Sequence, residues 1–111
     1  MANYGFVYIM GNRAMPGIYK IGMTMGAPSK RAEELSSSTS VPLPFEVMAY
    51  GEVENPSEIE RELHAAYADD RISTSREFFS VPVESLIFVL VEHCNSVAVP
   101  YDRNDDFWQG K

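Results

Sequence analysis

The sequence predicts an α+β fold, in which a small, mostly antiparallel sheet is covered by helices in the order β-β-α-β-α-β-α. Three observations support this class. Short alternating segments typical of half-buried strands occur near the start, in the middle and in the last third of the chain. Segments with apolar residues at helical spacing lie between them. The 111 residues contain no repeat and suffice for one hydrophobic core, so we expect one folded domain.

The first two strands are expected at residues 5–10 and 17–22, two apolar segments separated by a loop rich in glycine and proline. Because side chains alternate across a strand, Lys20 and its neighbour Tyr19 point to opposite faces of this hairpin. Tyr8 lies in the middle of the first strand. We expect the hairpin to form a surface that handles phosphate.

The first helix is expected from Pro28 to about Ser37, because proline suits the first turn of a helix and Gly26 breaks the preceding strand. Arg31 lies near the N-terminus of this helix, where the interaction of its positive charge with the helix dipole is unfavourable by about 0.3–1 kcal/mol. This unfavourable placement suggests a functional role for Arg31, and a solvated surface side chain is the alternative.

Two further strands follow. Residues 45–53 alternate well enough for a third strand, with Phe45, Val47 and Ala49 on one face. Residues 76–81 are expected to form a short fourth strand at the end of the sheet.

The second helix is expected from Pro56 to Asp69, because Asn55 can cap its N-terminus and Glu58 can complete a capping box. Its core face carries apolar residues at helical spacing: Ile59, Leu63, Ala66 and Tyr67. Pro82 opens the third helix. The apolar stripe of this helix consists of Val83, Leu86, Ile87, Leu90 and Val91.

Charge is distributed unevenly along the chain. The net charge of −7 argues against broad electrostatic affinity for nucleic acid. Residues 1–32, however, contain no acidic residue and four basic ones, namely Arg13, Lys20, Lys30 and Arg31. Either this distribution is chance on a solvated acidic surface, or the chain carries a local positive site.

The single cysteine, Cys94, excludes an internal disulfide and fits a reducing, cytoplasmic location. Its apolar surroundings favour a buried small hydrophobic residue over a reactive thiol. No apolar run approaches twenty residues, and the N-terminal segment lacks the charged region of a signal peptide. We therefore expect no contact with a membrane.

Glu60 and His64 are four residues apart on the second helix and so lie on one face. Glu60 flanks the buried stripe, which makes it a suitable anchor for Mg²⁺, a cation that needs few protein ligands. One glutamate and one histidine are too few ligands for a zinc site. The alternatives are a surface ion pair of Glu60 with Arg31 or Arg61, and a partly buried, hydrogen-bonded His64.

Five segments occur in a fixed order: GFVYI at residues 5–9, YKIGMT at 19–24, Arg31, ERELH at 60–64 and REFF at 76–79. Together they resemble the GIY-YIG nuclease superfamily, and within it the phage-associated T5orf172 or Mug113-like domains. The resemblance covers about residues 4–90. It implies a GIY-YIG-like nuclease domain over residues 1–96 and an acidic, aromatic tail over residues 97–111. In that tail, Phe107 and Trp108 dock either on the domain or on a partner.

The resemblance implies a metal-dependent endonuclease that hydrolyses phosphodiester bonds in DNA. Tyr8 takes the place of the catalytic tyrosine as base or water-positioner, Arg31 clamps the phosphate, and Glu60 ligates Mg²⁺ or Mn²⁺. Lys20 stands where the superfamily has its second tyrosine and supplies positive charge or a proton relay. His64 belongs to the motif of the subgroup and completes the expected catalytic set.

Two departures from the superfamily support an alternative, a catalytically weak or inactive binding or regulatory module that acts through a protein partner. Lys20 replaces a tyrosine, and the late asparagine has no clear equivalent; Glu77 lies in that region as a replacement or as a structural residue. The chain has no helix-turn-helix, zinc finger or basic arm. Cleavage is therefore expected to be weakly specific or structure-specific, or else a protein partner or homo-oligomer supplies target recognition.

Overall fold

The computed structural model describes residues 4–37, 41–72 and 77–109. Its helices and strands are β1 (Tyr4–Asn12), β2 (Tyr19–Thr24), α1 (Pro28–Ser36), β3 (Phe45–Glu54), α2 (Pro56–Ala66), β4 (Phe78–Phe79), α3 (Val83–His93) and β5 (Ser96–Ala98). Short 3₁₀ turns cover Ala68–Asp70 and Asp106–Gln109. The predicted α+β class is confirmed. The expected fourth strand is shorter than predicted, and its first residue, Arg76, lies outside the described residues.

The five strands form one antiparallel sheet of order β4-β2-β1-β3-β5, so β1 lies at its centre and β4 at one end. In the register of β1 against β2, Tyr8 lies opposite Gly22 and Met10 lies opposite Lys20. Residues directly opposite each other share a face of the sheet. Tyr8 and Lys20 therefore lie on the same face, with Tyr19 on the other, as the alternation predicted.

A bulge in β3 overturns one prediction about its faces. The register of β3 against β1 shifts once, so that Met48 is an extra residue on β3. Phe45 and Val47 were expected to share a face with Ala49, and this expectation is wrong. Met48 and Ala49 both join the main core, whereas the other two side chains pack on the opposite face.

The main core lies between one face of the sheet and the helices α2 and α3. Leu63 of α2 is buried there, but Ala66, expected in the same stripe, is exposed. The buried side of α2 is turned away from Ala66 and towards Glu60 and His64, which are both half-buried. In α3, Val91 is exposed because it lies at the edge of the apolar stripe.

The start of α2 also differs from the prediction. Asn55 adopts a left-handed conformation with φ of 60°, and its side chain makes no capping hydrogen bond. Its backbone carbonyl instead accepts hydrogen bonds from the N–H groups of Glu58 and Ile59, at 3.1 and 3.4 Å. The predicted capping box is therefore absent from this helix.

A second, smaller core lies on the other face of the sheet, under α1. Tyr8, Met10 and Ala32 are buried together there, with Tyr50 packed against them. Since Ala32 holds α1 against the strand that carries Tyr8, the neighbouring Arg31 lies at the edge of this core.

The segment predicted as an acidic, aromatic tail contains most of β5 and then packs back on the domain. Trp108 is 5% exposed and packs against Tyr19, with their ring centroids 6.2 Å apart. Arg13 ion-pairs with Asp105 and stacks on Trp108 and Phe107, at 5.2 Å from each ring. These aromatic side chains were expected to dock either on the domain or on a partner, and in the structure they dock on the domain.

Replacing Trp108 by Ala is therefore expected to lower the free energy of unfolding by about 3 kcal/mol, because a buried aromatic side chain is lost. Urea denaturation measures the change. Phe88→Ala is the control, since Phe88 is exposed on α3 and its loss should alter stability by about 0.5 kcal/mol at most. Equal stability of the Trp108→Ala variant and the wild type would contradict the docking of this segment.

Cys94 packs against the core next to Gly51, where a side chain would collide with its Sγ atom. Burial raises the pKa of its thiol to about 11, so the thiol stays protonated and unreactive at neutral pH. Within the described part of the chain, every helix is too short or too polar to cross a membrane.

Candidate active site

Tyr8 is held in place by the hairpin itself. Its side chain is 2% exposed, and its ring lies directly over Gly22 on the neighbouring strand. A Cβ atom at Gly22 would lie 2.5 Å from Tyr8 Cζ. Only glycine leaves room for the ring at this position, which explains the glycine in the second strand of the motif.

Burial raises the pKa of the Tyr8 hydroxyl above its ordinary value, and a hydrogen bond and the charge of Arg31 offset only part of this rise. The negative charges of Glu77 and Glu60 raise the pKa further. In the absence of metal the hydroxyl is therefore protonated at neutral pH, and its oxygen accepts from Arg31. Of the two roles expected for Tyr8, positioning a water molecule fits this protonation state better than acting as a base.

Arg31 lies in the first part of α1, beside Tyr8. Its Nη1 atom also donates to Glu34 Oε1 at 3.2 Å, and these two contacts raise the pKa of the guanidinium. About two fifths of its side chain remains exposed (41%). A guanidinium has five N–H donors, so Arg31 retains donors for a phosphate while it contacts Tyr8.

Lys20 lies on the same face as Tyr8 but pairs with a different group. Its side chain is almost fully buried, and its Nζ atom lies 2.5 Å from Glu77 Oε2 and 5.5 Å from the centre of the Phe78 ring. The charge of Lys20 is therefore balanced by Glu77. Lys20 therefore influences the site by pairing with the Glu77 carboxylate and lowering its pKa.

Glu60, His64 and Glu77 form a cluster in which each offers one ligand atom, and these three atoms all lie within 4.8 Å of one another. Burial, with a hydrogen bond and charge repulsion from Glu77, raises the pKa of Glu60 to about 7. Burial also acts to raise the pKa of Glu77, but the hydrogen bond and charge of Lys20 outweigh it and lower the pKa. When the two carboxyl groups hold one proton between them, it therefore resides on Glu60, which loses it as the pH rises through about 7.

The cluster lies at the open edge of β2, just beyond the short strand β4. The Ile21 N–H donates to the backbone carbonyl of Glu77 at 3.0 Å, and His64 Nε2 lies 2.9 Å from the Ile21 carbonyl. Because a carbonyl only accepts, Nε2 carries the hydrogen, and Nδ1 of the neutral ring is left with a lone pair. The expectation of a hydrogen-bonded, partly buried His64 is confirmed, and this tautomer also suits a metal ligand.

The pKa of Glu60 has a consequence for stability in the absence of metal. The folded protein holds this proton up to about pH 7, whereas an ordinary glutamate loses it near pH 4.5. The contribution of the group to stability is therefore fully present below pH 4.5 and is lost as the pH rises through about 7. In EDTA, we expect the melting temperature of wild type to fall by several degrees across this window.

Glu60→Gln should abolish most of that fall and should raise the melting temperature at pH 8, because the amide never ionises beside Glu77. Glu62→Gln, on the exposed side of the same helix, serves as the control. Parallel pH profiles of wild type and the Glu60→Gln variant would contradict the shared proton.

The structure brings the sequence-predicted residues into one connected set. Arg31 lies beside Tyr8, and the charges of Glu60 and Glu77 both act on the Tyr8 hydroxyl. Glu77 lies next to Glu60 in the cluster and pairs with Lys20. Glu77 is the member whose role the sequence left open. Its position in the REFF segment marked it, but only the tertiary structure places it between Lys20 and Glu60.

The donor set of the cluster suits a divalent cation. Two half-buried carboxylates that must share a proton are an unfavourable pair, and a cation in place of the proton relieves their repulsion. The nearby imidazole supplies a nitrogen ligand. Glu60, Glu77 and His64 therefore fit a bound metal ion better than Glu60 alone does.

Comparison with known proteins identifies the family of the chain. Neither the curated proteins nor the solved structures include a significant match to the chain. The family model of the T5orf172 domain matches residues 5–94, a range that contains every residue of the site described above. The chain therefore belongs to the T5orf172 domain family, a GIY-YIG-like family of nuclease-like domains.

Proposed function

We propose that the protein is a divalent-metal-dependent endonuclease that hydrolyses phosphodiester bonds in DNA. The observation that carries this proposal is a buried tyrosine hydroxyl that lies beside an arginine and within electrostatic range of a carboxylate-histidine cluster. Membership of a nuclease-like family supports it. Placement in the phage-associated, Mug113-like subgroup is a finer proposal that rests on the segments at residues 19–24 and 60–64.

Glu60, Glu77 and His64 are the residues that would hold the metal. When bound, Mg²⁺ or Mn²⁺ supplies Lewis-acid stabilisation of negative charge on the phosphate and the leaving oxygen. A ligand set that includes an imidazole accepts Mn²⁺ more readily than a set made of oxygens alone. Lys20 holds the Glu77 carboxylate in position by their 2.5 Å ion pair.

The other residues act directly on the substrate. The Tyr8 hydroxyl oxygen accepts a hydrogen bond from the attacking water molecule and so orients it. The water oxygen forms the new bond to phosphorus as the bond to one bridging oxygen breaks, and the proton that the water loses passes through solvent to that leaving oxygen. Arg31 donates to two non-bridging oxygens of the same phosphate, as a guanidinium does in bidentate contacts. Donors placed in advance where charge develops are among the largest contributions to catalysis.

The proposal is tested by incubating the protein with plasmid DNA and with branched, duplex and single-stranded oligonucleotides in Mg²⁺, Mn²⁺ or EDTA. We expect cleavage that requires the metal. Absence of cleavage of every substrate would instead support the alternative of an inactive binding module. The Trp108 side chain was a candidate contact for such a partner, but it is buried in the domain, which weakens the case for that alternative.

Arg31→Ala is expected to lower the rate of cleavage by about 10²-fold, because a preorganised donor to the phosphate is removed. Arg31→Lys should recover little of the loss, since lysine cannot donate in the same bidentate geometry. Lys30→Ala, at the exposed neighbouring position of α1, is the control and should retain most of the activity. Similar rates for the two alanine variants would contradict a role for Arg31 as the phosphate clamp.

The net charge of −7 gives these 111 residues little electrostatic affinity for a long duplex. Weakly specific or structure-specific cleavage of DNA is therefore part of the proposal. Target recognition by a protein partner or by a homo-oligomer is the other arrangement compatible with this charge.

A further inference from the structure

An apolar groove opens beside the candidate active site, on the same face of the sheet. Its main lining residues are Phe6, Met25, Pro28, Val47 and Tyr50, and its volume is about 650 Å³. A volume of this size is within the range of small-molecule sites. These five residues define the base groove.

The strand register and the first helix place the base groove next to residues of the candidate site. Phe6 precedes Tyr8 by two residues on β1, and Tyr50 lies directly opposite Tyr8 on β3. Pro28 begins α1, the helix that carries Arg31. β1 and α1 therefore each contribute residues both to the groove and to the candidate site.

The lining of the base groove suits a flat, uncharged group. The rings of Phe6 and Tyr50 are half-buried and meet edge to face, with centroids 5.7 Å apart, and Met25 is 51% exposed at the mouth. All five side chains lack charge. Glu52, opposite Phe6 on β3, is exposed, and its carboxylate disfavours a phosphate at that end.

We infer that the base groove binds the nucleobase of an unpaired nucleotide next to the phosphate that is cleaved. This inference rests on the proposed nuclease function and names its substrate class. A base inside a duplex is stacked and paired, whereas an unpaired base enters an aromatic groove at little energetic expense. Stacking on aromatic side chains binds any base, so the site selects an unpaired nucleotide without selecting its sequence.

The charge of the protein supports this mode of binding over recognition of the phosphate backbone. A chain of net charge −7 repels the polyanionic flanks of its substrate. Stacking of a neutral base is independent of this repulsion, and it holds the adjoining phosphate beside Arg31. The base groove therefore supplies affinity that the surface charge does not.

The test measures binding to the Glu60→Gln variant, so that its outcome does not depend on cleavage. Three fluorescent DNA probes are compared by anisotropy: a full duplex, the same duplex with one unpaired flap nucleotide, and that flap with an abasic sugar. The abasic probe keeps the phosphate charge and removes only the base. We expect the flap probe to bind about 10-fold more tightly than the abasic probe.

Tyr50→Leu and Phe6→Leu should reduce this ratio to near one, because leucine offers no aromatic face. Met25→Glu changes an exposed position and so preserves the fold, and it should reduce the ratio by placing a charge at the mouth of the groove. Phe88→Leu, at an exposed aromatic residue on α3, is the matched control and should leave the ratio unchanged. Circular dichroism verifies the fold of each variant.

Equal affinity for the flap and abasic probes would overturn the inference, as would a flap preference that survives in both folded Tyr50→Leu and Met25→Glu variants. A different outcome would contradict the proposed function, namely that wild type cleaves none of the substrates in Mg²⁺ or Mn²⁺, whatever the binding ratios are.

Discussion

Replacing Glu60 by Gln is expected to lower metal-dependent cleavage by a factor on the order of 10³, the largest effect of any single substitution in this protein. Glutamine has nearly the same size as glutamate and still hydrogen bonds to Glu77. It cannot supply the negative charge that a divalent cation requires. The loss therefore reports on the metal site and not on the packing of α2 against the sheet.

Two measurements separate this effect from a general defect. Calorimetric titration with Mn²⁺ should show binding to wild type and greatly weakened binding to the Glu60→Gln variant. Glu62→Gln removes a carboxylate from the exposed side of the same helix, where Glu62 lies 3.9 Å from His93, and should retain full activity and metal affinity. Unchanged cleavage by the Glu60→Gln variant would refute the assignment of Glu60 as a metal ligand.

Tyr8→Phe is expected to lower the cleavage rate by about 10²-fold to 10³-fold, the second largest effect. Phenylalanine keeps the ring over Gly22 and removes only the hydroxyl, so the fold should be preserved. Because burial raises the pKa of Tyr8, its hydroxyl acts in the protonated state. The rate of wild type should therefore show no rise attributable to ionisation of Tyr8 below about pH 10.

Tyr4→Phe is the matched control, since Tyr4 lies on the same strand but is exposed. Single-turnover cleavage at saturating protein isolates the chemical step from substrate binding. If Tyr8→Phe cleaves as fast as wild type under these conditions, then a residue other than Tyr8 positions the water.

Local patterns in the sequence predicted the secondary structure well where they were strong. The first two strands, the proline that begins each helix and the stripe around Leu86 depend on neighbours a few residues apart, and these relations are visible in one dimension. The predictions that proved wrong depend on the rest of the fold. The exposure of Ala66 follows from how α2 is turned against the sheet, and the bulge at Met48 follows from pairing with β1.

The residues of the candidate site also fall into two groups, those that local sequence patterns identified and those whose role only the fold established. Tyr8, Arg31 and Glu60 were identified from the order of short segments, and Gly22 from its place beside them. The part played by Glu77 was not predictable, because Glu77 and Lys20 are 57 residues apart in the chain. Their ion pair forms only because the chain just before β4 lies along β2.

By itself, the sequence determined the α+β class, the family resemblance and the identity of most side chains at the candidate site, since each depends on local spacing and residue chemistry. The tertiary structure alone decided which charges face each other. It placed two carboxylates and an imidazole within 4.8 Å of one another, and it buried the Tyr8 hydroxyl so that it stays protonated. It also formed the base groove on the face of the sheet that carries Tyr8. These properties depend on distances and burial between distant segments, which sheet pairing and helix packing establish.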